Sequence, residues 1–114
     1  MKNEKFEVSK ELDAKQGITR FTVVGRVNSK TSPELQAKLE DALNRGEVNI
    51  ILNMLEVEYL SSDGIRTILK TFKDAEKAGG KFRIERPSEM VKNVLGMVAL
   101  EGMLHNGQNF STKM

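Results

Sequence analysis

Two adjacent hydroxyls followed by an acid and a glycine, in Leu60-Ser61-Ser62-Asp63-Gly64-Ile65, are the residues of this sequence best placed to do chemistry. They stand where a strand-like apolar segment gives way to an amphipathic helical one. A serine at such a junction can cap the helix, its oxygen accepting a hydrogen bond from a first-turn amide, which is worth about 1 kcal/mol. It can also accept a phosphoryl group, because unpaired amides and the positive end of the helix dipole stabilise an anion there. A phosphate on Ser62 would lie four residues before Arg66, within reach of a charge-assisted contact, and beside Asp63, which repels it. Taken locally, capping is the plainer role, and the two are compatible.

Other chemistries find little support. His105, the single histidine, lies beside Asn106 and Gly107 in a polar tail, with no nucleophile or orienting acid nearby in sequence, so Ser-His-Asp hydrolysis is not expected. Glu34, Glu40 and Asp41 fall on the polar side of a helix, and Glu56 and Glu58 in a connection, so they read as solvated charges rather than an acid–base pair. The absence of cysteine excludes a disulfide framework, a Cys-rich zinc site and a thiol nucleophile, and fits a reducing cytoplasm. No metal-ligand cluster and no Walker or GxGxxG glycine pattern occurs, so no cofactor or metal is expected. The net charge is only +2, and the cations are interleaved with apolar residues while aromatics are scarce. Direct nucleic-acid binding is therefore not implied. No apolar run approaches the roughly 20 residues that span a bilayer, and the opening MKNEKFEVSKE is too charged for a secretory signal.

The elements that position the two serines can be read from periodicity. Phe6–Leu12 and Ile18–Val24, separated by Gln16-Gly17, predict an opening hairpin. Gly25 is expected to break the second strand, with residues 26–30 as a polar exit loop. Thr31-Ser32-Pro33-Glu34 predicts a helix start with a Thr31–Glu34 capping box. Leu35, Leu39, Ala42 and Leu43 follow as one apolar stripe, and Gly46 suits the C-terminal end. Val48–Leu52 is nearly all apolar, as in an interior strand covered on both faces, and residues 53–60 read as a connection. Ser61–Gly64 opens a second helix with the stripe Ile65, Ile68, Leu69 and Phe72, closed by Gly79-Gly80. Lys81–Glu85 is a further strand, and Pro87-Ser88-Glu89 starts a third helix with Val91, Val94, Leu95 and Val98 facing inward. The order β-β-α-β-α-β-α predicts an α/β domain with a central mixed sheet: an N-terminal hairpin, then parallel crossovers packed by amphipathic helices. One domain spans 1–114, with its core at about 5–105 and a polar tail at about 106–114. The core needs no partner to close, so a monomer is expected.

Leu52-Asn53-Met54, then Val57-Glu58-Tyr59-Leu60-Ser61-Ser62-Asp63-Gly64-Ile65 and an apolar helix, resembles the signature of STAS domains, the anti-sigma factor antagonist family. Gly25-Arg26-Val27-Asn28 before Thr31-Ser32-Pro33-Glu34-Leu35 resembles the family's other landmark, and Gly79-Gly80-Lys81, Pro87-Ser88 and Val94-Leu95 also fit. The resemblance covers about residues 5–105. It implies a protein that is not an enzyme but a substrate and switch. In the family the serine matching Ser62 accepts phosphate from an anti-sigma factor that is itself a serine kinase. The unphosphorylated antagonist binds that kinase and frees a sigma factor, and a PP2C-type phosphatase restores the binding form. ATP, magnesium and the catalytic base belong to the kinase.

On that resemblance Ser62 is the expected phosphoacceptor, with Ser61 the runner-up. The expected docking surface comprises the loop of Asn28, Ser29, Thr31 and Ser32, the loop of Tyr59, Ser61, Ser62, Asp63 and Gly64, and the exposed helix face of Arg66, Thr67 and Lys70. Asn28, Asn53 and Ser61 stand where the family often has acids, and Asp63 where a small residue is usual. Two alternatives remain: a constitutive STAS scaffold in a signalling assembly, and a small-ligand or nucleotide sensor using the same helix N-terminus as an anion site. A hydrolase using Ser62 is more remote than either.

Overall fold

A computed structural model describes residues 5–97. Its elements run β1 (Phe6–Asp13), β2 (Ile18–Val27), α1 (Ser32–Asn44), β3 (Ile50–Leu60), α2 (Ser62–Lys77), β4 (Phe82–Glu85) and α3 (Glu89–Met97), the order expected. The sheet order is β1-β2-β3-β4, with β1 antiparallel to β2 and the other two pairs parallel. Val98, His105 and the tail at 106–114 lie outside the described residues.

Alternation along the strands sorts side chains onto two faces. Phe21, Val23 and Val27 of β2, Ile50, Leu52 and Met54 of β3, and Phe82 and Ile84 of β4 point to the inner face and are almost wholly buried. Leu35, Leu39 and Ala42 of α1, Ile68 and Ala75 of α2, and Val91 and Leu95 of α3 join them in one cluster. The apolar sides of all three helices are therefore spent on that face. Ile51, on the outer face, is buried to 4% exposure yet stands outside the cluster. Its register neighbours are Arg20 and Arg83, and the Arg20–Glu85 ion pair at 3.1 Å crosses β3 beside it. The expectation that β3 is covered by packed elements on both faces is not met by the described residues, among which charged side chains rather than a second layer of helices lie over its outer side.

Three local readings also change. Gly25 does not end β2. The strand runs to Val27, with Gly25 at φ +106, where a side chain's Cβ would collide with the Lys5 carbonyl. Thr31 forms no capping box, and Glu34 makes no reciprocal contact, because the Thr31 hydroxyl donates to the Arg26 carbonyl (2.7 Å) and accepts from the Asn28 amide (2.8 Å). Residues 53–60 are not a connection but the second half of β3, so Glu56 and Glu58 lie on a strand. Two register shifts against β2, between Thr22 and Val24 and between Gly25 and Arg26, add residues to β3. Met54, Val57 and Leu60 then point inward, and pairs of exposed residues lie between them. A period of three results, which no alternation rule detects.

The helix ends follow expectation. Gly46 (φ +85) closes α1 with its amide on Leu43 and the Glu47 amide on Ala42, the paired bonds of a left-handed terminus.

Candidate functional site

The upper ends of β2 and β3 deliver the two loops that sequence reasoning singled out. The Ser61 amide donates to the Val27 carbonyl (2.9 Å), so the start of α2 is tied to the end of β2. Gly64 sits where any side chain would run into Leu60 (2.6 Å) and Val27 (2.8 Å), which lets the first turn of α2 rest directly on the strand ends.

Only one of the two serines caps the helix. Ser61 is the N-cap, in extended conformation, and its Oγ accepts from the Gly64 amide at 3.2 Å. Ser62 is the first residue of α2 and is exposed, and its hydroxyl has no hydrogen-bond partner among the described residues. Asp63 is neutralised locally by Arg66, whose Nη1 lies 2.8 Å from its Oδ1. Repulsion of an anion at Ser62 by Asp63 is correspondingly reduced.

Asn28 works inside its loop. Its Oδ1 accepts from the amides of Lys30 (2.9 Å) and Thr31 (3.1 Å), a turn that a carboxylate could hold equally well. Asn53 likewise turns its Oδ1 onto the Leu55 amide (3.1 Å) at the first bulge. At both positions the amide oxygen does the structural work available to an acid while carrying no charge.

Between α1 and α2 runs an open groove of ≈ 490 Å³, lined in part by Ser29, Ser32, Asp63, Arg66, Thr67 and Lys70. It brings together half of the expected docking residues, while Asn28, Thr31, Tyr59, Ser61, Ser62 and Gly64 lie outside its lining. Two of them are corrected in exposure: Ser32 and Thr67 are buried to 4% and 3%, so they cannot form an exposed face. Thr67 instead donates to Gln36 Oε1 of α1 (3.3 Å). Lys70 is exposed but engaged, 2.7 Å from Asp74 and 3.7 Å from Glu40. The hydrogen bond to Asp74 and then its charge hold the Lys70 ammonium above the ordinary lysine pKa.

Sequence reasoning missed the α1 side of this groove, Gln36 and Glu40, which are joined to each other at 2.9 Å. Their four-residue spacing was visible, but only the packing of α1 on α2 gives it meaning. Arg26 was also missed: its guanidinium lies 4.5 Å from the centre of the Tyr59 ring, holding that exposed aromatic beside the loops. No cluster of three or more metal-ligating side chains occurs among the described residues. None of the described helices is long and apolar enough to cross a membrane.

A four-stranded mixed sheet that presents a capped serine pair at a strand-to-helix junction is the arrangement of a STAS domain. The chain belongs to the STAS domain family, whose model matches residues 9–112. Among curated relatives it is similar to the anti-sigma-B factor antagonist of Bacillus subtilis, 24% identical over 95 residues, covering 82% of this chain and 86% of that one. It is also similar to BtrV of Bordetella bronchiseptica, whose name assigns it provisionally to the anti-sigma factor antagonists. That match is 29% identical over 70 residues and spans 61% of this chain and only 60% of BtrV. Among solved structures, the fold matches the unphosphorylated anti-sigma factor antagonist SpoIIAA of Bacillus, with TM-score 0.75, 18% identity and coverage of 92% and 90%. It also matches SpoIIAA in its phosphorylated form, with TM-score 0.71 and 17% identity. The relatives it matches are non-enzymatic regulators.

Proposed function

We propose that this protein is an anti-sigma factor antagonist switched by phosphate on Ser62. In its unphosphorylated state it binds an anti-sigma factor that is a serine kinase, which releases a sigma factor. Phosphorylation breaks that complex, and a PP2C-type phosphatase reverses the modification. The observation that carries the reading is the division of labour at the helix start: Ser61 is committed to capping, and Ser62 stands exposed with an unengaged hydroxyl at the positive end of α2. A dianion introduced there alters the charge of a surface built from the two loops and the α1–α2 groove, and a partner seated on it meets either repulsion or a desolvation cost.

Fragmentation mass spectrometry after incubation with native cell extract and ATP tests this. Trypsin releases residues 46–66 as one peptide, whose only hydroxyl side chains are Tyr59, Ser61 and Ser62. ATP-dependent phosphate on Ser62 is expected. Its persistent absence, beside a control antagonist phosphorylated in parallel, transfers the proposal to a constitutive STAS scaffold.

A further inference from the structure

Ser62 and the α1–α2 groove do not coincide. The serine lies outside the lining of the groove, whereas its neighbours Asp63 and Arg66 line it. Whether the groove responds to a change at Ser62 therefore depends on the side chains between them. In the unmodified chain the charges of the lining balance. Arg66 is paired with Asp63 at 2.8 Å, and Lys70 lies 3.7 Å from Glu40 and 2.7 Å from Asp74.

Arg66 follows Asp63 by three residues and Ser62 by four, and both spacings make neighbours on a helix surface. A helical side chain leans over the turn N-terminal to its own Cα, so the guanidinium that meets Asp63 already hangs over the turn that begins with Ser62. Its hold on Asp63 is slight, one bond from Nη1 between side chains that are 72% and 40% exposed. Exposed pairs at this spacing shift an equilibrium only about twofold. Phosphoserine carries a charge of about −2 and accepts a guanidinium bidentately, against a single charge and a single bond at Asp63. Lys70, the next cation of α2, is about two turns from Ser62 and is already held by Asp74 and Glu40.

We propose, on the reading that Ser62 accepts phosphate, that Arg66 transmits the state of Ser62 to the groove. In the unmodified chain it cancels the charge of Asp63. With phosphate on Ser62 the guanidinium turns to the phosphate, and Asp63 is left as an uncompensated acid on the groove wall. The lining then holds Asp63 and Glu40 against Lys70, and a partner seated there meets an added negative charge even where it makes no contact with Ser62. Asp63 thus has two parts to play: it keeps Arg66 over the first turn of α2, and it is the charge that phosphorylation unmasks.

The full chain with phosphoserine incorporated at position 62 during translation tests this without any kinase, beside the unmodified chain. Phosphorus-31 NMR follows the second ionisation of the phosphate. Arg66→Gln is expected to raise its midpoint by about 0.3–0.5 pH unit, a two- to threefold change in the ionisation constant, and about 1 M salt should shrink the difference. Arg66→Lys keeps the charge without the fork and should recover only part of it. A double-mutant cycle of Asp63→Asn and Arg66→Gln, read by urea denaturation at low salt, measures the contact that is given up. A coupling of about 1.5- to 2-fold in the unfolding equilibrium constant is expected in the unmodified chain, and none in the phosphorylated one. Neither side chain is buried, so all the variants are expected to fold. A phosphate midpoint indifferent to Arg66→Gln overturns the proposal. So does a coupling that is absent from the unmodified chain or that survives phosphorylation undiminished. Absence of phosphate on Ser62 in the cell-extract assay is a separate result: it overturns the functional reading, while the incorporated phosphoserine still decides what Arg66 does.

Discussion

Ser61 Oγ accepts the Gly64 amide at 3.2 Å, and that one bond separates two neighbouring, chemically equal serines into a structural residue and an exposed one. The first turn of α2 has orphan amides, and Ser61 satisfies one of them from the N-cap position, while Ser62, already helical, directs its hydroxyl to solvent.

The two substitutions should therefore separate cleanly. Ser61→Ala is expected to lower unfolding stability by about 1 kcal/mol, the usual worth of a serine cap. Ser62→Ala should stay within about 0.5 kcal/mol of wild type, as exposed substitutions do. Urea denaturation followed by circular dichroism reads both. In the phosphorylation assay the order reverses: Ser62→Ala abolishes labelling and Ser61→Ala retains it.

Gly64 makes a second test of the same turn. An alanine Cβ would stand 2.6 Å from Leu60 Cδ1 and 2.8 Å from Val27 Cγ1, and both neighbours are buried. Gly64→Ala is expected to cost about 1–3 kcal/mol by overpacking, although the position is helical and alanine is the better helix former. A gain in stability would show that the strand ends can yield.

At the start of α1 the sequence pattern and the structure disagree, and stability measurements can decide between them. A capping box would make Glu34 matter. The structure instead gives the Thr31 hydroxyl to the Arg26 carbonyl and the Asn28 amide. Thr31→Val should cost about 1–2 kcal/mol through polar groups left unpaired in a half-buried loop. Glu34→Ala should change stability by less than about 0.5 kcal/mol.

Why the sequence reveals some of this and hides the rest follows from the range of each interaction. Elements with a single buried side announce themselves: Leu35, Leu39 and Ala42 recur at helical spacing and are all buried, and Phe82 and Ile84 alternate as a strand should. The α2 stripe is legible but rotated. Ile65, Leu69 and Phe72 are only partly buried, whereas Thr67 and Thr71 are buried, because α2 packs on α1 as well as on the sheet. Thr71 tolerates this by donating to the Thr67 carbonyl at 2.9 Å. The upper half of β3 is illegible because its two bulges depend on pairing with β2, a partner some thirty residues earlier in the chain. At the site, the strand-to-helix junction could be read from composition, but which serine caps it could not. That choice is made by the position of the Gly64 amide once the turn rests on Val27 and Leu60.

The Arg20–Glu85 pair, on the outer face of the sheet, offers the last prediction. The two side chains are 33% and 21% exposed and meet through two hydrogen bonds, at 3.1 and 3.3 Å, across β3. Their burial is incomplete, so a double-mutant cycle with Arg20→Ala and Glu85→Ala should give a coupling of only about 0.2–1 kcal/mol, smaller at 1 M salt than at 0.1 M. The single substitutions should cost more than the coupling does, because the arginine stem and the carboxylate also shield Ile51, which is buried on a face that no described helix covers. Arg20→Met keeps that apolar cover without the charge. It should therefore recover most of the stability lost in Arg20→Ala, which separates shielding of Ile51 from ion pairing as the reason an arginine stands on the central part of the sheet.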